Sequence, residues 1–348
     1  MFDTLKRSTE YQKIRGGLAA KGPAALFGLP PTARAQVLAA LCEDTGRPAL
    51  VVCAGEADAT RFAEDLCAFG AAAEAYPARD FVLRPVEGQN HEYEYRRLAV
   101  LGNLVGGRTR AACAGAEAVL QYTMPRAEFC GNTMTIKPGQ ELPIRHLTER
   151  LYSAGYHRRA QVEGPGQFSV RGGIVDLYAP DMAKPCRLEF WGDTVDTIHT
   201  FDLGTQRRED SVKKIYLSPA REVLFGDIAD TIARLREAAG RLKGGRKTAF
   251  ERVCESDLAQ LDAGVMPSAM DKYLALRYEK PATILDYLDA PILFFSEPSA
   301  VREAARALQF RFGEELKGLF EAGALCAGLD KFYEEPAALW HAAGHGTG

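Results

Sequence analysis

The sequence is poor in most of the features that announce chemistry. Its eight cysteines (42, 53, 67, 113, 130, 186, 254 and 326) are never closer than eleven positions, so there is no C-x-x-C pair. That argues against a zinc site built on paired cysteines; scattered thiols suit small core residues in a reducing compartment. The six histidines show neither metal-ligand spacing nor a plausible dyad, so no metal is expected. His341 and His345 stand four apart, but Gly344 and Gly346 speak against a helix there. No apolar run approaches the roughly 18 residues of a membrane span. The N-terminal "MFDTLKRSTEYQKI" has no signal-peptide core either, so a cytoplasmic protein without a membrane partner is expected. Positive charge is not in excess: 43 Lys and Arg face 46 Asp and Glu, a formal net charge of −3. Nucleic-acid binding would therefore need a local patch. The basic clusters "GGRTR" (106–110), "HRRAQ" (157–161) and "TQRRED" (205–210) have acidic neighbours or sit at turns, and read as solvated faces.

What is present is the pattern of a multi-domain globular chain. At 348 residues, two or three domains are expected, and 47% hydrophobic with 26% charged residues excludes general disorder. From residue 24 to about 120, short apolar segments ("AALFGL", "ALVVCA", "AEAYPA", "AACAG") alternate with helical ones. That alternation predicts a parallel sheet covered on both faces. Around residue 127 the texture changes to closely spaced strands: "RRAQVEG", "FSVRGGIVDLYAP", "CRLEFWGD", "TVDTIHTFD" and "KKIYLSP". Helices return after about 220, and one isolated apolar strand, "APILFFSEP", is expected to rejoin the first sheet. The fold class expected is α/β: a split RecA/P-loop-like parallel-sheet domain (1–126 and 219–348) carrying an inserted antiparallel α+β domain (127–218). The tail "AAGHGTG" reads as a flexible ending, and the chain as the front piece of something longer.

The first segment has the outline of a phosphate-binding loop without its chemistry. "AALFGLPPTARAQVLAAL" (24–41) reads as strand, glycine turn and helix, with Gly28 as the first glycine. Such a loop needs glycines that let backbone N–H groups wrap phosphate, a lysine for the β and γ oxygens, and a hydroxyl for magnesium. Ala33, Arg34 and Ala35 occupy those positions here, and Pro30 and Pro31 lack backbone N–H groups altogether. In "PILFFSEPSAV" (291–301), Ser296 and Glu297 stand where an acidic pair would hold magnesium and position water. A serine does not replace the aspartate charge. The expectation is a degenerate P-loop with no catalytic residue, no bound cofactor and no metal.

A more specific signal lies in the insert. In "CRLEFWGD", strand alternation sends Leu188 and Phe190 to one face and Arg187, Glu189 and Trp191 to the other. In "FSVRGG", Phe168 and Val170 point inward and Arg171 outward, with Gly172 and Gly173 expected to form a bulge or bend. Gly192 and Asp193 read as hairpin-turn formers. Trp and Arg on a rigid sheet are the residue types enriched at interface hot spots. An outward Arg beside Glu189 is equally compatible with a weak surface ion pair, and a Trp beside a turn with a covered sheet edge.

These residues carry a resemblance. "GQFSVRGGIVDLYAP…KPCRLEFWGDTVDTIHTFDLGTQRR" (166–208) resembles the insert domain shared by the excision-repair protein UvrB and the transcription-repair coupling factor Mfd. "KPATILDYLDAPILFFSEP" (280–298) resembles the stretch that in UvrB runs into an intact acidic motif. "YPARDFVLRPVEGQNHEYEYRRLAVLGNL" (76–104) has the Mfd spacing and lacks the longer tyrosine-rich hairpin with which UvrB probes DNA. "LFEAGALCAGLDKFYEEPAALW" (319–340) resembles the end of the N-terminal Mfd module. The resemblance implies a catalytically silent adaptor whose insert recruits UvrA in transcription-coupled nucleotide excision repair. The family's ATP- and magnesium-dependent translocase and its RNA polymerase-binding region would lie outside this chain. By motif position, Arg171, Arg187 and Trp191 match the family's UvrA contacts, the aromatic position being usually phenylalanine. Two alternatives stand beside it: a degenerate but functional ATP-dependent module, and a UvrB-like module that binds damaged DNA.

Overall fold

A computed structural model describes residues 2–20, 23–84, 91–342 and 344. Four strands form a wholly parallel sheet: β1 (Ala49–Cys53), β2 (Ala73–Tyr76), β3 (Ala111–Gly115) and a strand from far along the chain, Ile292–Phe295, in the order Ile292–Phe295, β1, β3, β2. The predicted return of the isolated apolar strand is thus observed. The two central strands, β1 and β3, are buried on both faces because they carry no polar side chain at any position, rather than at alternate ones. Leu50, Val52, Ala112 and Ala114 point into one core, while Ala49, Val51, Cys53, Ala111 and Cys113 point into the other. Alanines in β3 let the layers approach closely, and a Cβ on its terminal Gly115 would lie 3.1 Å from the backbone carbon of Gly55.

The inserted unit contains β4 (Met134–Ile136), β5 (His157–Arg158), β6 (Gln167–Arg171), β7 (Ile174–Tyr178), β8 (Cys186–Trp191), β9 (Thr194–Phe201), β10 (Arg208–Ser211) and β11 (Ile215–Leu217). The strand at Ile292–Phe295 is β12. Strands β5 to β10 form a six-stranded sheet in sequence order, antiparallel except for the parallel β5–β6 pair; β11 pairs only with β4. The expected long strand at 158–164 is therefore just two residues. The amphipathic helix Ile144–Ser153 lays Leu147 and Leu151 on Phe168, Val175, Leu177, Leu188 and Ile198. Gly155, at φ 85°, ends that helix as its sequence position implied.

One expected strand is absent. "AALFGL" does not pair with the sheet; Leu26 and Leu29 are half-buried, whereas Phe27 is 88% exposed. Gly28 takes a left-handed φ of 72°, and Pro30 and Pro31 have no N–H for a ladder, so apolar composition alone does not make this segment a strand. Among the described residues, no helix is long and apolar enough to cross a membrane. The segment 85–90 of the resemblance and His345 lie outside the described residues.

Candidate docking face and the degenerate phosphate loop

Two hairpins build the outer face of the six-stranded sheet. Gly172 (φ 60°) and Gly173 are the two loop residues between β6 and β7, closing an Arg171–Ile174 pair. They form a tight turn, so of the expected bulge or bend it is the bend that is observed. The register slip lies instead between β8 and β9, where Glu189 faces Thr197 and Phe190 faces Val195, leaving Asp196 as the extra residue. Gly192 (φ 59°) and Asp193 form the second two-residue turn, which closes a Trp191–Thr194 pair. A left-handed first position is what such a turn demands, and glycine reaches it without a Cβ penalty.

Trp191, at the end of β8 beside this turn, is 84% exposed. Its neighbour Phe190 packs toward the core with Leu188, so the alternation expected from the sequence holds along β8. Arg171 is also solvent-facing, its side chain 49% exposed. Arg187 lies on the same outer side, as expected, but only 16% of its side chain is exposed, which corrects the expectation that it faces water. The reason is Asp176 in the middle of β7. This carboxylate is fully buried and directly opposite Arg187 in the β7–β8 register. Its Oδ1 accepts from Arg187 Nε at 2.6 Å, and its Oδ2 from Arg187 Nη2 at 2.9 Å and Arg171 Nη2 at 2.5 Å. The Arg187 guanidinium also lies 4.9 Å from the Phe201 ring centre and donates to the Gln206 carbonyl at 3.4 Å. Hydrogen bonding to Asp176 raises the Arg187 pKa further above its already high value. Glu189, offered by the sequence as an alternative surface partner for Arg187, pairs instead with Arg208 at 3.3 Å and accepts from Thr197 Oγ1 at 2.9 Å.

The face therefore presents a large aromatic plane, one half-exposed arginine and one anchored arginine around a buried carboxylate. The charges of Arg171, Arg187 and Arg208 exceed those of Asp176 and Glu189 by one. Sequence reasoning missed Asp176. Its signal was an acidic residue inside the apolar run "GIVDLYAP", where an unpaired charge would be costly.

The second candidate, the phosphate loop, is brought together but does not fit a nucleotide. Arg34 and Glu297, from the two motif positions, meet as an ion pair at 2.6 Å, and Arg34 Nε donates to the Leu29 carbonyl at 3.0 Å. The one cation of the loop is thus committed to the protein. Ala35, at the position of the metal-binding hydroxyl, is fully buried in the core. Helix Pro31–Thr45 starts with a proline following another proline, so two amides that would face a phosphate do not exist. These residues do not fit ATP and magnesium. Among the described residues, no group of three His, Cys, Asp or Glu is placed to hold a metal ion. Of the basic clusters, Arg108 is engaged by Asp181 at 2.8 Å and Arg208 by Glu189, while Arg110 donates to the Gly46 carbonyl.

Comparison with known proteins bears directly on the first face. Residues 134–223, which hold β4 to β11 and the whole docking face, match the model of the UvrB interaction domain. The insert is thus similar to that family. Over most of its length the chain is also similar to proteins named transcription-repair-coupling factor. It is 27% identical to that of Bacillus subtilis (strain 168) over 92% of this chain and 28% of the relative. It is 22% identical to that of Staphylococcus aureus (strain USA300) over 85% of this chain and 26% of the relative. A Staphylococcus epidermidis relative is 25% identical over the same shares. The chain spans about a quarter of the length of these relatives. Asp181 of the insert accepts from Arg108 Nη2 of the parallel-sheet unit at 2.8 Å, and from Ser218 Oγ within the insert at 2.7 Å.

Proposed function

We propose that this chain is a non-catalytic adaptor module of a transcription-repair coupling factor, and that its UvrB interaction domain docks UvrA through the outer face of β6–β8. Trp191 carries this reading: a tryptophan 84% exposed at a rigid hairpin, beside arginines oriented by a buried carboxylate. A large apolar plane beside cationic donors is the composition of an interface hot spot, where one truncation costs about 2 kcal/mol or more. The relatives, named transcription-repair-coupling factor, support the repair setting, and the likeness of the insert to the UvrB interaction domain supports the partner. The Arg34–Glu297 pair supports the non-catalytic part, since the site that would bind triphosphate is closed on itself. The parallel-sheet unit then serves as the rigid stand, and ATP-driven motion and polymerase contact fall to other regions of the parent protein.

A pull-down with purified UvrA tests the reading. Wild type is retained; Trp191→Ala and Arg171→Ala each reduce retention at least tenfold with unchanged circular dichroism. Equal retention of all three sinks the assigned face. Failure of the wild type to bind sinks the function.

A further inference from the structure

Asp176 is the most unusual group on the docking face. It is a fully buried carboxylate on the side of the sheet opposite the insert's apolar core, and it receives three charge-assisted hydrogen bonds from two arginines. The two arginines are not equivalent. Arg187 uses Nε and Nη2 in a two-pronged grip, lies over Phe201 and is mostly covered. Arg171 makes one hydrogen bond, through Nη2, and is half-exposed; its other N–H groups have no hydrogen-bond partner among the described residues. A guanidinium held at one corner has lost most of its rotamer freedom while keeping donors for a second carboxylate.

We propose that Asp176 is the positioning residue of this face, holding Arg187 as a fixed platform and presenting Arg171 to a carboxylate on the partner. This rests on the docking reading above and adds to it the chemistry of the contact: the partner surface is acidic and meets Arg171, with an apolar recess for Trp191. The excess of one positive charge around the buried carboxylate points the same way. Pre-orientation lowers the entropy lost when the arginine is captured, so affinity depends on a residue the partner does not touch.

The decisive variant is Asp176→Asn, because positioning and plain electrostatics predict opposite signs. Removing this negative charge makes the face more positive, so if net charge governs docking, affinity for an acidic partner rises. If positioning governs, affinity falls. The expected result is about a tenfold weaker dissociation constant for purified UvrA at constant salt, with the native circular dichroism spectrum retained. Should Asp176→Asn fail to fold, Arg187→Lys asks the same question at a mostly covered but not fully buried site. It keeps the charge but loses the two-pronged grip, and about tenfold weaker binding is again expected. Unchanged or tighter binding by the folded variant overturns the inference. Trp191→Ala, measured alongside, separates the two levels. If it weakens binding while Asp176→Asn and Arg187→Lys do not, only the positioning role fails; if wild type binds and none of the three variants weakens binding, the face itself is wrong.

Discussion

Replacing Glu222 by glutamine will test how the inserted unit is fixed to the parallel-sheet unit. Glu222 is fully buried just where the chain re-enters the parallel-sheet unit after β11. Its Oε1 accepts from Arg97 Nε at 2.6 Å and its Oε2 from Arg97 Nη2 at 3.2 Å, while Arg79 Nε lies 3.3 Å from Oε1. Arg97 is itself fully buried, stacked 4.3 Å from the Tyr76 ring centre, and Arg79 is held by Asp271 at 2.7 Å. Glu94 completes the group by accepting from the Glu222 amide at 2.8 Å. At an effective dielectric of about 20, each close ion pair is worth about 4 kcal/mol before desolvation. Glutamine keeps the shape but leaves two guanidinium groups facing one carboxylate fewer, and breaking a buried pair in this way costs about 3–5 kcal/mol. Replacing both partners with apolar residues, Arg97→Met with Glu222→Met, removes the stranded charge, so the double variant is expected to be more stable than the sum of the single losses by about 2 kcal/mol. Urea unfolding read from Trp340 measures this, because that tryptophan stacks on Phe295 at 4.5 Å while Trp191, the only other one, is already exposed. A loss below about 1 kcal/mol for Glu222→Gln, or strict additivity in the double variant, refutes the electrostatic account.

Four further outcomes are expected. Calorimetric titration with Mg-ATP gives no binding heat; micromolar binding would contradict the reading of Pro30, Pro31, Ala33 and Ala35. Glu297→Ala, which breaks the Arg34 pair at a side chain 66% exposed, changes stability by no more than about 1 kcal/mol in the same urea assay. Gly166→Ala is destabilising by about 2 kcal/mol or more in urea melts, since its φ is 73° and the new Cβ would lie 2.7 Å from Tyr95 Oη, across the join between insert and stand. Acid will loosen that join. Burial pushes the Glu94 pKa up, but Arg221, His91 and Arg79 outweigh it and hold the carboxyl well below its ordinary 4.5. The unfolded chain therefore binds this proton first, so the stability Glu94 contributes is complete above about pH 4.5 and is lost as pH falls below it. Urea midpoints against pH should slope less steeply in Glu94→Gln; parallel slopes would exclude Glu94 as the source.

How far the sequence could be read depended on which physical signal set each feature. The parallel sheet was legible because strands buried on both faces must be apolar throughout, as "ALVVC" and "ILFF" are. Trp191 was legible because side-chain period and turn chemistry are both local: Leu188 inward fixes Trp191 outward, and Gly192-Asp193 closes the hairpin. "AALFGL" failed for the opposite reason. Its composition favours a strand, but pairing requires an open edge and available N–H groups, and Gly28, Pro30 and Pro31 deny a regular ladder. The partnership of Asp176 with Arg187 required a third kind of information. The two-residue turn at Gly172-Gly173 dictates that Asp176 lies opposite Ser169, so that register can be counted from the chain. The link from β7 to β8 runs through residues 179–185 and contains no such tight turn, so nothing local sets Asp176 against Arg187. That register is chosen by the packing of Leu188 into the core beside Val175 and Leu177, and a shift of β8 by one residue would turn Leu188 out of that core. The apolar side of the sheet thus selects which charges meet on its other side. It follows that a core substitution able to slip this register, such as a polar residue at Leu188, would disarm the proposed docking face without touching any residue on it.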